Sequence, residues 1–214
     1  MPNGETNQPM DLPLLARGFL LGLSIAAVLG PIGLLCVRRT LVGGFAVGFV
    51  SGLGAATADA SYAAIAGFGV SAVAALLVDQ RLWLRVVGGA FLVYLGLRTV
   101  GAMPSQRAAE VGATRLVGAY TSTLVLTLSN PMTILSFAGV FAGIGLGSVS
   151  AASIDAALAL VLGVFAGSAT WWLVLASVTA RLRSRLTTRR LRVVNIASGL
   201  LILGFGVQAL ASAL

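Results

Sequence analysis

Asp59 is an isolated carboxyl group in an apolar part of the chain. It is the only acidic residue between Asp11 and Asp79, and no other charge lies within residues 40–78. A charged side chain at the centre of a membrane-spanning helix costs about 2.5–3.5 kcal/mol, so such groups usually face a cavity and serve transport or proton movement. We therefore expect Asp59 to take up and release a coupling proton. The alternative is a structural aspartate that is hydrogen-bonded to Ser, Thr or Tyr.

Two proline motifs provide a second group of candidate residues. Gly30-Pro31 lies one hundred positions before Asn130-Pro131. Proline lacks an N–H and displaces the carbonyl four residues back, so that carbonyl loses its helical partner. A half-helix that begins after the proline presents free N–H groups and a positive dipole end, which suit a carboxylate. The alternative is a simple kink. The predicted substrate-binding residues are Ala27, Gly30, Pro31, Gly33, Thr127, Asn130, Pro131 and Thr133.

The composition is that of an all-α integral membrane protein. Hydrophobic residues make up 58% of the 214, charged residues 9%, and the mean hydropathy is +1.00. The net charge of +8 comes from arginines that lie mainly between apolar segments, so we expect no nucleic-acid partner. The chain has no His, which excludes a Ser–His hydrolase. We predict no enzyme activity, no cofactor and no bound metal.

The apolar segments predict six membrane spans, since one span needs about 20 apolar residues. The chain then divides into a polar tail (1–11), a first three-helix unit (12–103), a cytoplasmic linker (104–117) and a second three-helix unit (118–214). Short re-entrant or interfacial pieces are expected after residues 68 and 146. The six predicted spans are 14–37, 42–68, 82–103, 118–146, 157–180 and 193–213.

Glycine spacing suggests that the two units are copies of each other. Gly48-x3-Gly52 in the second span matches Gly163-x3-Gly167 in the fifth, and Gly89-x6-Gly96 matches Gly199-x6-Gly206. A unit with three spans must insert the opposite way up when it is repeated. We therefore expect an inverted-topology repeat with broken first and fourth helices, an architecture common among secondary transporters. The predicted helix-packing residues are Gly44, Gly48, Gly52, Gly163 and Gly167.

These motifs together resemble the lysine-exporter family of bacterial inner-membrane amino-acid exporters. The resemblance rests on Gly30-Pro31, on the glycine stripe from Gly44 that leads to Asp59, and on Asn130-Pro131. It implies proton-driven efflux of amino acids or related small metabolites, six spans in two inverted halves, and often a homodimer. Family members often have Pro where this chain has Leu29, and many have Lys where it has Met132.

Two other functions stay open from the sequence. One is a divalent metal-ion exporter of the same superfamily, although Asp59 has no further His, Cys or carboxylate cluster near it in the membrane region. The other is a membrane scaffold without transport activity, which would tolerate the loss of Asp59. The expected partners of a transporter are an amino acid, protons and membrane lipids.

The distribution of arginine predicts the orientation in the bacterial inner membrane. With six spans, eleven arginines fall on one side and three on the other. Cytoplasmic loops carry the excess of basic residues. Both termini should therefore be periplasmic. The three arginines on the periplasmic side are Arg17, Arg81 and Arg85.

A reporter fused after Leu214 should therefore be active in the periplasm, and one inserted within Arg181–Arg192 should be active in the cytoplasm. Paired alkaline phosphatase and fluorescent-protein fusions at both sites measure this. A cytoplasmic C-terminus would contradict the six-span topology.

Overall fold

The computed structural model describes residues 12–28, 30–68, 81–101, 113–130, 133–134, 136–137, 154–183 and 188–213. All regular secondary structure within these residues is helical. The helices are α1 (Leu12–Ala27), α2 (Pro31–Gly43), α3 (Phe45–Gly67), α4 (Arg81–Val100), α5 (Ala113–Leu128), α6 (Ile154–Arg183) and α7 (Thr188–Ala211).

The first predicted span is broken at the Gly-Pro pair. α1 ends at Ala27 and α2 begins at Pro31, with a bend of 79° between the two helices. Gly30 is extended, with φ −126° and ψ −164°. Proline is well suited to the first turn of a helix, where its missing N–H removes no hydrogen bond. The sequence therefore ends one helix and begins another at this point.

α2 extends beyond the expected end of the first membrane span at residue 37. It continues to Gly43, so Arg38 and Arg39 lie inside a helix. The turn falls on Gly44, whose φ of 89° favours glycine. Gly44 therefore has a backbone role at the junction of α2 and α3, and the helix-packing role expected for it stays a prediction.

Arg39 is accommodated inside α2 because neighbouring helices supply hydrogen-bond acceptors. Its Nη1 donates to Ser51 Oγ of α3 at 3.0 Å, and to the Ala119 carbonyl at 2.8 Å and Thr123 Oγ1 at 2.7 Å in α5. Its Nη2 donates to Ser122 Oγ at 2.7 Å. Hydrogen bonds to a charged group each contribute about 1.5–3 kcal/mol. One arginine thus holds three helices together.

Two helices in the described part of the chain are long and apolar enough to cross a membrane. They are α6 and the 192–211 portion of α7, and a third span results if the bent pair α1–α2 counts as one. α3 has 23 residues and is not among these helices. The arrangement of six spans in two inverted repeats stays a prediction.

Glycines bring α1 and α6 into backbone contact. A Cβ added to Gly22 of α1 would collide with the Val164 carbonyl of α6, and one added to Gly167 of α6 would collide with the Phe19 carbonyl of α1. Gly18 and Gly163 make the same kind of contact between these helices. Small residues at four-residue spacing allow this close approach of helices.

The matched glycines of the third and sixth predicted spans contact each other. A Cβ on Gly89 of α4 would lie 3.1 Å from the Gly206 carbonyl of α7, and one on Gly96 would lie 2.9 Å from the Gly199 carbonyl. In α3, a Cβ on Gly48 would collide with Thr40, and one on Gly52 with the side chain of Trp172. A Cβ on Gly54 of α3 would collide with the Tyr120 carbonyl of α5. Among the described helices, five pairs thus depend on missing side chains: α1–α6, α4–α7, α2–α3, α3–α6 and α3–α5.

Replacing Gly167 by Ala should therefore destabilise the protein. The added methyl group must displace the α1 backbone, and such overpacking costs about 1–3 kcal/mol. Gly204→Ala is the matched control, since nothing lies within 4 Å of a Cβ at that helical position, and Ala is favoured over Gly in a helix by about 1 kcal/mol. Melting temperatures in detergent should fall for Gly167→Ala and stay the same or rise for Gly204→Ala. Equal values would show that α1 and α6 are not in close contact.

Candidate functional site

A cavity of about 510 Å³ lies where α1 and α2 are separated by their break. Its wall is assembled from all seven helices. α1 and α2 supply the residues beside the break, α5 supplies its C-terminal end, and α4 and α7 close the opposite side with Gly88, Leu92 and Phe205. The wall is largely apolar, so its few polar groups determine what it can bind.

The N-terminus of α2 forms one polar part of this wall. Gly30, Pro31, Ile32 and Gly33 all line the cavity. The first hydrogen bond of α2 runs from the Leu34 N–H to the Gly30 carbonyl at 3.1 Å. The N–H groups before Leu34 have no partner within the helix, and the helix dipole is positive at this end. This end of the cavity favours a negatively charged group.

Asp59 of α3 lies on the same wall and is only 3% exposed. Ser168 Oγ of α6 donates a hydrogen bond to Asp59 Oδ2 at 2.7 Å. Trp172 Nε1, one helical turn further along α6, donates to Ser168 Oγ at 3.1 Å. The carboxyl group is therefore held by a chain of two hydrogen bonds from α6 while it borders the cavity.

The C-terminal end of α5 supplies further polar groups. The Tyr62 hydroxyl of α3 donates to the Leu128 carbonyl at 2.6 Å. The Asn130 N–H donates to the Thr127 carbonyl at 3.1 Å, and the Asn130 carbonyl accepts from the Ile134 N–H at 3.2 Å. The Thr127 carbonyl, which we expected to be freed by Pro131, thus has a partner because the chain turns tightly after Leu128.

The Thr127 side chain, unlike the Thr127 carbonyl, has no hydrogen-bond partner at its Oγ1. Thr127 is 2% exposed and lines the cavity. A buried hydroxyl without a partner costs about 1–3 kcal/mol. Its position leaves a donor and an acceptor available to a solute in the cavity.

The structure brings most of the predicted site residues to one cavity. Ala27 is the exception among those that it describes, since Ala26 and Val28 on either side line the cavity and Ala27 does not. Pro131 lies outside the described residues, as do Leu29 and Met132. The predicted residues that line the cavity are Gly30, Pro31, Gly33, Asp59, Thr127, Asn130 and Thr133.

Sequence analysis missed the partners of Asp59. Ser168 and Trp172 stand four residues apart on an apolar helix, directly after the glycine motif that ends at Gly167. Residues four apart share a helix face, and this polar pair beside a close-packed seam was the available signal. The described residues contain no group of three or more His, Cys, Asp or Glu that could hold a metal ion.

Apolar helices around an internal cavity that holds a carboxyl group define a helical membrane protein able to enclose a small solute. The chain belongs to the LysE type translocator family, whose sequence pattern matches residues 23–213. It is therefore a transporter and not an enzyme, and the family and the apolar helices together indicate an integral membrane protein.

Two curated relatives match nearly the whole chain. The "Putative amino acid efflux protein YcgF" of Bacillus subtilis (strain 168) is 29% identical over 190 residues, which cover 87% of this chain and 90% of the relative. The "Uncharacterized membrane protein slr1627" of Synechocystis sp. (strain ATCC 27184 / PCC 6803 / Kazusa) is 26% identical over 192 residues, 88% of this chain and 91% of the relative. No solved structure matches the chain.

Thr127→Val should leave stability unchanged or raise it, because valine has the same shape and removes a hydroxyl that has no partner. The control is Thr123→Val in the same helix. Thr123 Oγ1 accepts from Arg39, so its loss should destabilise the protein by about 1.5–3 kcal/mol. Thermal unfolding of the two variants in detergent makes the comparison. A Thr127→Val variant as unstable as Thr123→Val would show that Thr127 Oγ1 is satisfied within the protein.

Proposed function

We propose that this protein is a secondary transporter that exports amino acids or related small metabolites from the cytoplasm by proton antiport. Its family and the name of its Bacillus subtilis relative support an efflux transporter. The observation that carries the coupling part of the proposal is Asp59, a carboxyl group that is 3% exposed on the wall of a cavity of about 510 Å³.

In this proposal, the solute and the proton occupy one space. The first-turn N–H groups of α2 bind the carboxylate of an amino acid, and Thr127 Oγ1 is the unpaired polar group that completes its hydrogen bonds. Asp59 carries the proton. Because all three line the same cavity, the charge on Asp59 changes the binding free energy of a charged solute, and by linkage the solute changes the proton affinity of Asp59.

The helix contacts support the proposed inverted repeat. α1 packs on α6, and α5 packs on α3. In the predicted repeat these pairs are the first span with the fifth and the fourth with the second, which a two-fold axis would exchange. α4 with α7 and α3 with α6 are pairs that the same axis would map onto themselves. Rocking of one such half against the other is a common route to alternating access.

We place the transporter in the bacterial inner membrane with both termini in the periplasm, in agreement with the arginine distribution. The described helices keep many large apolar side chains exposed, including Leu162, Val178 and Leu200. Lipid covers such surfaces in a membrane protein, and a homodimer of the kind that the family resemblance implies would cover part of them.

Asp59→Asn should abolish gradient-driven transport. Asparagine keeps the size and much of the hydrogen bonding of aspartate but cannot carry the proton. Vesicles that contain the variant should fail to concentrate labelled amino acids when only a pH difference is imposed, with uptake at the level of protein-free vesicles. Exchange of labelled for unlabelled substrate needs no net proton movement and should persist at least in part.

Asp155→Asn is the control, since Asp155 is an exposed aspartate in the first turn of α6 and should keep wild-type transport. If Asp59→Asn vesicles still concentrate substrate, Asp59 is structural and the coupling group lies elsewhere. If wild-type vesicles move no amino acid with or without a gradient, the proposed substrate class is wrong.

A further inference from the structure

A second cavity, of about 570 Å³, is lined by three arginines. Arg38 and Arg39 reach it from α2 and Arg98 from the last turn of α4, and it shares no lining residue with the first cavity. The other lining residues are Leu35, Leu95, Thr99 and Gly101. None of the described lining residues is acidic. The described wall of the cavity therefore gathers three positive charges and contains no carboxylate.

The described partners of these arginines do not neutralise them. Arg39 donates hydrogen bonds to three hydroxyl oxygens and one carbonyl oxygen, all of them uncharged. Arg98 Nη1 lies 3.3 Å from the Tyr94 hydroxyl, again a neutral group. Arg38 Nε is buried and has no hydrogen-bond partner. Arg38 also lies close enough to Arg39 and Arg98 for their charges to repel its own.

We infer that this second cavity binds an oxyanion, a phosphate or a carboxylate group, between Arg38 and Arg98. A guanidinium group presents paired N–H donors that match the geometry of such anions. A bound anion would give the buried Nε of Arg38 a partner and would offset the repulsion among the three cations. Like charges in proximity disfavour each other, and a bound opposite charge offsets that repulsion.

The orientation predicted from arginine counting puts this cavity at the cytoplasmic side of the membrane. Two sources of an oxyanion exist there: the headgroup phosphate of an anionic lipid, and a soluble anion such as inorganic phosphate or the carboxylate of a small solute. The inference concerns binding at this cavity and does not depend on transport through the first one.

Melting temperatures of the full-length protein in neutral detergent test the inference. Inorganic phosphate or acetate is titrated against chloride at matched ionic strength, and dioleoylphosphatidylglycerol is compared with dioleoylphosphatidylcholine in a second series. A ligand that binds the folded state raises the melting temperature in a saturable way. We expect this response for at least one anion series in the wild type. A response to the soluble anions assigns a soluble source, and a response to phosphatidylglycerol alone assigns the lipid headgroup.

In Arg38→Gln, the half-saturating anion concentration should rise roughly ten-fold or more, as expected for the loss of a hydrogen bond to a charged group. Arg38→Lys keeps the charge but lacks the paired donors. Its half-saturating anion concentration should lie between those of the wild type and Arg38→Gln. Arg98→Gln provides an independent variant should Arg38→Gln fail to fold, because the side chain of Arg98 is exposed. The control is Arg17→Gln, an exposed arginine of α1 that lines neither cavity, which should behave as the wild type.

Two outcomes would overturn the inference. The first is a wild-type melting temperature that responds to neither the soluble anions nor phosphatidylglycerol beyond its controls. The second is an equal loss of response in Arg38→Gln and Arg17→Gln, which indicates general charge screening.

Discussion

A proline ring at position 31 has no N–H to continue α1, and the chain turns by 79° before α2 begins. Backbone groups left unpaired at membrane depth are tolerated only against protein or a wet cavity. The break therefore requires protein or a cavity beside it, and the cavity of about 510 Å³ lies there. The cavity depends on the break in turn, because its free N–H groups come from the first turn of α2.

The glycines position the carboxyl group as well as the helices. Gly52 leaves room for the side chain of Trp172, which brings α6 close to α3. Within α6 the Trp172 indole donates to Ser168, and Ser168 donates across to Asp59 of α3. A larger residue at position 52 would separate α3 from α6 and lengthen the contact between Ser168 and Asp59. Packing and site chemistry thus depend on one missing side chain.

The features that sequence analysis predicted are those fixed by local chemistry. Proline at position 31 breaks a helix in any surroundings, and an isolated aspartate in an apolar helix is directed into protein by its cost in lipid. The environment of Arg39 could not be predicted from local chemistry. An arginine beside an apolar segment is normally expected in a loop. The acceptors that satisfy Arg39 within the helix packing come from α5, about 80 residues away. Ser168 and the wall residues of α4 and α7 are likewise determined by tertiary packing.

The Trp172–Ser168–Asp59 chain has a polarity. An indole N–H can only donate, so the Ser168 oxygen receives the hydrogen bond from Trp172, and its own proton points to Asp59 Oδ2. The two oxygens of the carboxyl group are therefore not equivalent. Oδ2 already accepts a hydrogen, so the coupling role proposed for Asp59 favours Oδ1 as the oxygen that takes up the proton. In that proposal, Trp172 acts through Ser168 to set the side of the carboxyl group on which the proton arrives and departs.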